Sequence, residues 1–194
     1  MVLVRETVMT DWQAWRDIRL LALRAAPDAF SSTYAEQARH GEDYWRQRVS
    51  GGGLFLAWVP EVSAAEPAGM AGGYQAAPGT VQLISMFVRP QARGRGVGEA
   101  LIDVVIGWAR ERDATSVHLW VTETNKHARL LYERMVRASE LGSHRRQFIG
   151  GVDLYAEMIH AGRASALRNC EVDPRILEHP LGVVILADRR FRRE

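Results

Sequence analysis

Residues 88–98 have the sequence VRPQARGRGVG, and this stretch decides how the rest of the chain is interpreted. The apolar segment before it, Thr80–Val88, predicts a strand. The apolar residues after it share one face of a helix, so a helix is expected to begin inside Gly94–Gly98. Glycines let successive backbone N–H groups converge, and a helix N-terminus adds partial positive charge. The stretch therefore predicts an anion site suited to a pyrophosphate, with Arg93 and Arg95 adding charge at its rim.

Two other phosphate-binding patterns are excluded. A P-loop needs glycine, four residues and then Gly-Lys-Ser/Thr, and the sequence contains no Gly-Lys pair. A Rossmann loop needs a third glycine where this chain has Glu99 or Leu101, and it follows the first strand, whereas this loop follows the fourth predicted strand. Nucleotide hydrolysis and dehydrogenase chemistry are therefore not supported. A glycine-rich turn that starts an ordinary helix is the alternative that these residues alone leave open.

Two sequence patterns stand in order along the chain. Val88-x-Pro90-x-x-Arg93-Gly94-x-Gly96-x-Gly98 resembles the coenzyme-A-binding signature of the GNAT superfamily of N-acetyltransferases. Asn125-x-x-Ala128-x-x-Leu131-Tyr132-Glu133-Arg134 resembles the next motif of that superfamily, which lies in the helix after the fifth strand. Within residues 80–135 the resemblance rests on specific motifs. Over residues 1–135 it rests on the order of the predicted helices and strands.

The resemblance implies roles for named residues. It implies that the backbone of Phe87 and Val88 pairs with the pantetheine arm of acetyl-CoA as an added strand would. Asn125 would bond that arm or a bridging water, and Tyr132 would protonate the leaving thiolate, which a neutral phenol can do at pH 7. Without the resemblance, Tyr132 is interpreted as a core aromatic residue with one polar contact. The residues implied to hold the pyrophosphate are Arg93, Gly94, Arg95, Gly96, Val97 and Gly98.

The implied reaction is direct transfer of an acetyl group from acetyl-CoA to a primary amine of a small molecule or protein. Backbone N–H groups would stabilise the oxyanion. Many relatives keep a carboxylate on the strand before the loop, but no Asp or Glu lies between Glu66 and Glu99. Glu36 and Glu123 are the candidate bases by layout. Without the resemblance, each is interpreted as a surface carboxylate, and a chain of water molecules is the further alternative.

The order of elements predicts a mixed α/β (α+β) fold, with a central, mostly antiparallel sheet flanked by helices. Helices are expected from Thr10 or Asp11, either of which can cap the first turn, to near Pro27, around Glu42–Val49, from within Gly94–Gly98, and from Asn125 to about Arg137. Residues 28–40 are expected to be turn-rich. Strands are expected at 2–8, 54–59, 68–77, 80–88 and 116–121.

The end of the chain departs from the pattern. Relatives close the second motif with Gly-Phe and two strands, whereas here only Phe148-Ile149 and Leu181–Ala187 have clear strand character. We therefore divide the chain into a GNAT-like domain, 1–136, and an atypical C-terminal segment, 137–194. This segment is either a divergent completion of the sheet or a frame-shifted tail. An acyl-CoA-binding protein with weak or no transferase activity is the alternative function.

Composition limits the partners. The apolar runs are too short to cross a bilayer, and the N-terminus lacks the features of a signal peptide, so a cytoplasmic protein without membrane contact is expected. The single cysteine, Cys170, excludes an internal disulfide, and no metal site is expected. The net charge of +2 comes from residues 137–194, because acidic and basic residues balance before them. Nucleic-acid binding is a minor alternative, and a homodimer stays open.

Overall fold

The computed structural model describes residues 1–122, 125–140 and 153–159. A sheet of six strands runs through this part of the chain, with its strands side by side in sequence order. The first four strands pair antiparallel, and the last two continue the sheet in parallel. The predicted mixed α/β fold with a mostly antiparallel sheet is confirmed. The strands are β1 (Leu3–Glu6), β2 (Leu54–Trp58), β3 (Gly69–Ala77), β4 (Thr80–Val88), β5 (Ser116–Thr122) and β6 (Asp153–Ile159).

Helices cover both faces of the sheet. Each predicted helix is present within a few residues of its expected bounds, and one additional short helix lies in the stretch that was expected to be turn-rich. Within the three described ranges, no helix is long and apolar enough to span a bilayer. The helices are α1 (Trp12–Ala25), α2 (Tyr34–Gln37), α3 (Glu42–Ser50), α4 (Val97–Arg110) and α5 (Lys126–Glu140).

The two faces of the sheet bury separate apolar cores. Because side chains alternate along a strand, β2 sends Leu54 and Leu56 to one face and Phe55 and Ala57 to the other. On the first face these leucines join the α1 and α3 side chains, including fully buried Trp15. On the second face the core is formed with α4. A strand buried on both faces explains why the sequence of β2 is a continuous apolar run.

The fold corrects three expectations. The strand β6 was not predicted, since its sequence, DLYAEMI, mixes acidic and apolar residues and its partner β5 is distant in sequence. The helix α2 was missed, although Thr33 and Glu36 form a capping box that is readable in the sequence. No side chain caps α1, because the Asp11 carboxylate instead accepts the Val8 N–H and pairs with Arg5. The segments predicted as strands at 148–149 and 181–187 lie outside the described residues.

A bulge interrupts β4. Gly72 of β3 pairs with Ile84, but Met70 pairs with Phe87, so β4 contains one residue more than β3 over the same span. Ser85 lies at this point with φ of 55°, a left-handed conformation that is uncommon outside glycine. A bulge bends its strand and increases the local twist. The second half of β4 is thereby redirected just before the glycine-rich loop.

Candidate active site

A cleft opens where β4 and β5 separate. The two strands pair only from Thr80 with Ser116 to Gln82 with His118, while β5 continues beside β6 as far as Thr122. The bulge at Ser85 follows directly, so the second half of β4 has β3 on one side and no β5 partner on the other. The resulting cleft has a volume of about 660 Å³, a size typical of small-molecule sites.

The glycine-rich loop forms one end of the cleft. Gly94 and Gly96 have φ of 72° and 79°, which L side chains rarely adopt. A Cβ at either position would meet no atom within 4 Å, so the backbone conformation, rather than lack of space, requires glycine. Gly96 is the N-cap of α4 and offers no side chain to the first N–H groups of that helix. These groups and the positive end of the helix are suited to an anion.

The two arginines of the loop are placed differently. Arg93 lines the cleft, and its Nε donates a hydrogen bond to the Val88 carbonyl oxygen at 3.3 Å. Arg95 is exposed and does not line the cleft. Its charge acts on Glu61, whose pKa is lowered first by a hydrogen bond from the N-terminal ammonium group and least by Arg95. Arg93 is therefore the loop arginine that is positioned to meet a ligand.

The start of α4 packs closely against α5. A Cβ on Gly98 would lie 2.7 Å from Cδ2 of Leu131, which is too close for real atoms without movement of the leucine. Val97 beside it is buried in the core, and both residues also line the cleft. This contact brings the next residue of α5, Tyr132, to the same cleft as the glycine loop.

Asn125 and Tyr132 both line the cleft. The Asn125 Oδ1 accepts the Ala128 N–H at 3.1 Å, which caps the first turn of α5. The Tyr132 side chain is only 5% exposed and packs among the apolar side chains on the α4 face of the sheet. Burial raises the pKa of Tyr132, because the phenolate is poorly solvated there. The side chain is therefore a neutral phenol, able to donate a proton, throughout the neutral pH range.

The strand residues expected at the site, Phe87 and Val88, also line the cleft. They pair with Met70 and Gly69 of β3, so one edge of their backbone is already held in the sheet. The Phe87 ring belongs to the apolar core on the α1 and α3 face. The other edge of β4 lacks a β5 partner at this level, as an extended ligand bound in the manner of an added strand would require.

The candidate bases are Glu36 and Glu123. Glu36 is exposed, and its Oε2 accepts the Thr33 N–H at 2.8 Å in the capping box of α2. It does not line the cleft. Glu123 lies outside the described residues, between Thr122 and Asn125, which both line the cleft. Two further carboxylates, Asp28 and Glu99, line the cleft and were not predicted as site residues from the sequence.

Three buried polar residues on the cleft were also missed: Arg19, Arg48 and Gln82, which are 5%, 3% and 3% exposed. The pKa of Arg19 is lowered to about 9, first by burial and then by the charge of Arg48, so Arg19 remains protonated at pH 7. Burial likewise lowers the pKa of Arg48, whose Nη1 donates to the Tyr44 hydroxyl at 3.2 Å. A signal was available, because Arg19 occupies a core position four residues after Trp15.

Comparisons with known proteins agree with this geometry. Residues 12–136 match the family model described as the acetyltransferase (GNAT) family. An uncharacterized N-acetyltransferase of Archaeoglobus fulgidus is 30% identical over 120 residues, which are 54% of this chain and 82% of that protein. One from Methanocaldococcus jannaschii is 43% identical over 54 residues, 28% of this chain and 24% of that protein. The mycothiol acetyltransferase of Beutenbergia cavernae is 30% identical over 129 residues, 62% of this chain and 39% of that protein.

Solved structures share the fold. The yncA protein of Salmonella typhimurium, whose structure contains acetyl-CoA as its cofactor, superposes with a TM-score of 0.57 at 16% identity. The match covers 70% of this chain and 78% of that one. A GNAT-family acetyltransferase of Staphylococcus aureus gives a TM-score of 0.55 at 17% identity, over 70% of this chain and 84% of that one. At these identities, the likeness is one of fold.

Proposed function

The chain belongs to the acetyltransferase (GNAT) family, and from that premise we propose that it transfers the acetyl group of acetyl-CoA directly to a primary amine of a small molecule or a protein. The observation that carries this proposal is the cleft between β4 and β5. It brings the glycine-rich loop, the unpaired edge of β4 and the neutral phenol of Tyr132 together in one space.

The described residues are suited to acetyl-CoA as the cosubstrate. The loop from Arg93 to Gly98 offers backbone N–H groups, the N-terminus of α4 and the Arg93 charge to the pyrophosphate. The pantetheine arm has the open edge of β4 at Phe87 and Val88 to pair with. The cap that Asn125 forms on α5 leaves its amide nitrogen as a donor toward the arm, since none of the described residues accepts from it.

The chemistry needs one bond to form and one to break. The neutral amine attacks the thioester carbonyl carbon, the C–S bond breaks, and the leaving thiolate takes a proton from the Tyr132 hydroxyl. The proton that the nitrogen loses as the amide forms returns to the phenolate, directly or through water. Backbone N–H groups along the open edge of β4 are the candidates to stabilise the oxyanion. Tyr132 is suited to its step because its raised pKa keeps the hydroxyl protonated through neutral and mildly alkaline pH.

We assign the removal of the ammonium proton to Glu123, directly or through water. The residues that flank it along the described chain, Thr122 and Asn125, line the cleft. The rival carboxylate, Glu36, lies in the capping box of α2 and outside the lining of the cleft. A residue whose neighbours along the chain line the cleft is the simpler choice, because a general base must reach its proton directly or through one water.

An acyl-CoA-binding protein with weak or no transferase activity is the second candidate. The observation that favours it is that β4, which is fully described, carries no carboxylate on the side of the cleft. The division into residues 1–136 and an atypical segment, 137–194, remains our proposal as well. It is supported by the match to the family model, which ends at residue 136.

An acceptor screen with the full chain tests the proposal. Purified protein is given acetyl-CoA and a panel of polyamines, amino sugars, amino acids and peptides, and both CoA thiol release and the acetylated amine are measured. Release of CoA in proportion to acetylated amine is expected. Saturable acetyl-CoA binding with no acetylated product from any amine would favour the binding-protein alternative.

A further inference from the structure

We propose that the α1 side of the cleft contains an anion subsite built on Arg19, and that it binds a carboxylate or phosphate group of the amine acceptor. The inference rests on the proposed function, since it names the class of acceptor that the same cleft would take. The acceptor would then be an amine that also carries a negatively charged group, and a polyamine, which is cationic and has no such group, would be a poor substrate.

Arg19 is a buried cation with no anionic partner among the described residues. It is 5% exposed, and within the described part of the chain no carboxylate forms an ion pair with it. Its guanidinium lies 4.7 Å from the centre of the Phe30 ring, which also lines the cleft. Its Nε is sealed from solvent and has no hydrogen-bond partner. Arg19 itself lines the cleft, so a ligand in the cleft can reach its guanidinium group.

Two more polar side chains share this part of the cleft. Arg48 of α3 is 3% exposed and lies close enough for its charge to act on Arg19. Gln82 of β4 lines the cleft with a buried Nε2 that has no hydrogen-bond partner. Its neighbours Val81 and Leu83 belong to the core on the α4 face, so the alternation of the strand directs Gln82 toward α1 and α3.

A bound anion would supply the counter-charge that Arg19 lacks among the described residues. A buried guanidinium group destabilises the fold unless a counter-charge is present, and no carboxylate among the described residues pairs with Arg19. A carboxylate or phosphate supplies that charge, and its oxygens match the paired donors of a guanidinium group. Asp28 also lines the cleft, but it is exposed and forms no ion pair with Arg19.

The subsite is separate from the pyrophosphate loop. The helix α4, which the loop precedes, packs on one face of the sheet, whereas Arg19 is on α1, which packs on the opposite face. The cleft passes between them where β4 and β5 separate. One anion site would therefore hold the cosubstrate and the other the acceptor, with the open edge of β4 between them.

Matched pairs of amines test the subsite. Amino acids are compared with their amides for the carboxylate, and phosphoethanolamine with ethanolamine for the phosphate, at saturating acetyl-CoA. We expect the anionic member of at least one pair to be preferred by about tenfold or more in kcat/KM. The pair that shows the preference identifies the source of the anion.

Variants of Arg19 test whether this residue causes the preference for the anionic amine. Arg19→Met removes the charge at similar volume and should abolish the preference, mainly through KM, while the Kd for acetyl-CoA stays the same. Arg19→Lys keeps the positive charge but lacks the paired donors of a guanidinium group, so it should retain part of the preference for the anionic amine. Arg46→Met is the matched control, because Arg46 lies exposed on α3 and pairs with Glu42, away from the cleft. Arg19→Met should also unfold at a temperature no lower than the wild type, since it removes an uncompensated buried charge.

Several outcomes would overturn the subsite: equal use of both members of every pair, an unchanged preference in Arg19→Met, or a weaker Kd for acetyl-CoA in that variant. If the wild type acetylates none of the amines, the proposed function fails and a binding measurement decides the subsite. Calorimetric titration of an amino acid and of phosphoethanolamine into the acetyl-CoA-bound protein should then show binding that Arg19→Met loses. Absence of that binding would overturn it.

Discussion

Gln82 pairs with His118, and these are the last residues at which β4 and β5 run side by side. Beyond them, the bulge at Ser85 redirects β4, and the strand runs on to the glycine-rich loop with one edge open. The position of the cleft thus depends on where a parallel pair of strands stops. The cleft is lined by the edge of β4 that has lost its β5 partner. Under the proposed function, acetyl-CoA would therefore be held largely by main-chain groups.

The open edge of β4 predicts a change in amide hydrogen exchange. If the pantetheine arm pairs with this edge, exchange in residues 84–88 should slow when acetyl-CoA binds. Exchange in β2, which pairs on both sides with β1 and β3, should not change. Mass spectrometry of peptides from the free and bound protein measures both. Protection confined to the loop, with β4 unaffected, would contradict the strand-like pairing.

Glycine substitutions distinguish a requirement for positive φ from a requirement for space around the residue. Gly94→Ala and Gly96→Ala should each destabilise the loop by about 1 kcal/mol and weaken acetyl-CoA binding, because both residues have positive φ. Gly107→Ala is the matched control inside α4, where a Cβ meets nothing within 4 Å and φ is ordinary. It should stabilise the protein by about 0.5–1 kcal/mol. Urea unfolding and calorimetry measure the two effects, and unaltered acetyl-CoA affinity in both loop variants would argue against the pyrophosphate site.

Tyr132→Phe tests the proton donor. The ring remains to fill the core, so the fold should persist, while kcat should fall by roughly 100-fold. Since the folded pKa of Tyr132 is raised above its ordinary value, the phenol stays protonated as pH increases through 9. The wild-type rate should therefore show no alkaline decline caused by this group between pH 6 and about 9. An alkaline decline in that range that disappears in Tyr132→Phe would refute the assignment.

Glu123→Gln and Glu36→Gln test the base. Glu123→Gln should lower kcat and remove the rise of the rate with pH on the acidic side of the profile. Glu36→Gln should leave kcat within about twofold, because glutamine also completes a capping box. The dependence of kcat on pH is measured for both variants and the wild type. Unfolding temperatures show whether either variant is destabilised. The reverse pattern would transfer the role to Glu36.

Local signals account for what the sequence predicted. The glycine-rich loop, the apolar face of α4, and the helices and strands predicted before and after them all depend on residues near each other in the chain. Their bounds in the structure agree with the expected ones within a few residues. The family resemblance rested on these same segments, and the match to the family model confirms it.

Features set by distant pairing were not predictable. The end of the pairing between β4 and β5 depends on strands that are separated by α4, and β6 depends on a partner that precedes α5 in the sequence. Arg19 is at a core position of α1, but only the assembled fold shows that this position opens onto the cleft. Periodicity identifies which side chains turn inward, and it does not identify where the interior contains a cavity.

A single-turnover experiment tests acetyl transfer most directly. Protein in excess is mixed with acetyl-CoA labelled in its acetyl group, with and without an amine that the acceptor screen identifies. We predict that the label passes to the amine only when the amine is present, and that no labelled protein forms at any time. Label that stays on fully bound acetyl-CoA, or that appears on the protein before the amine is added, would contradict direct transfer in this cleft.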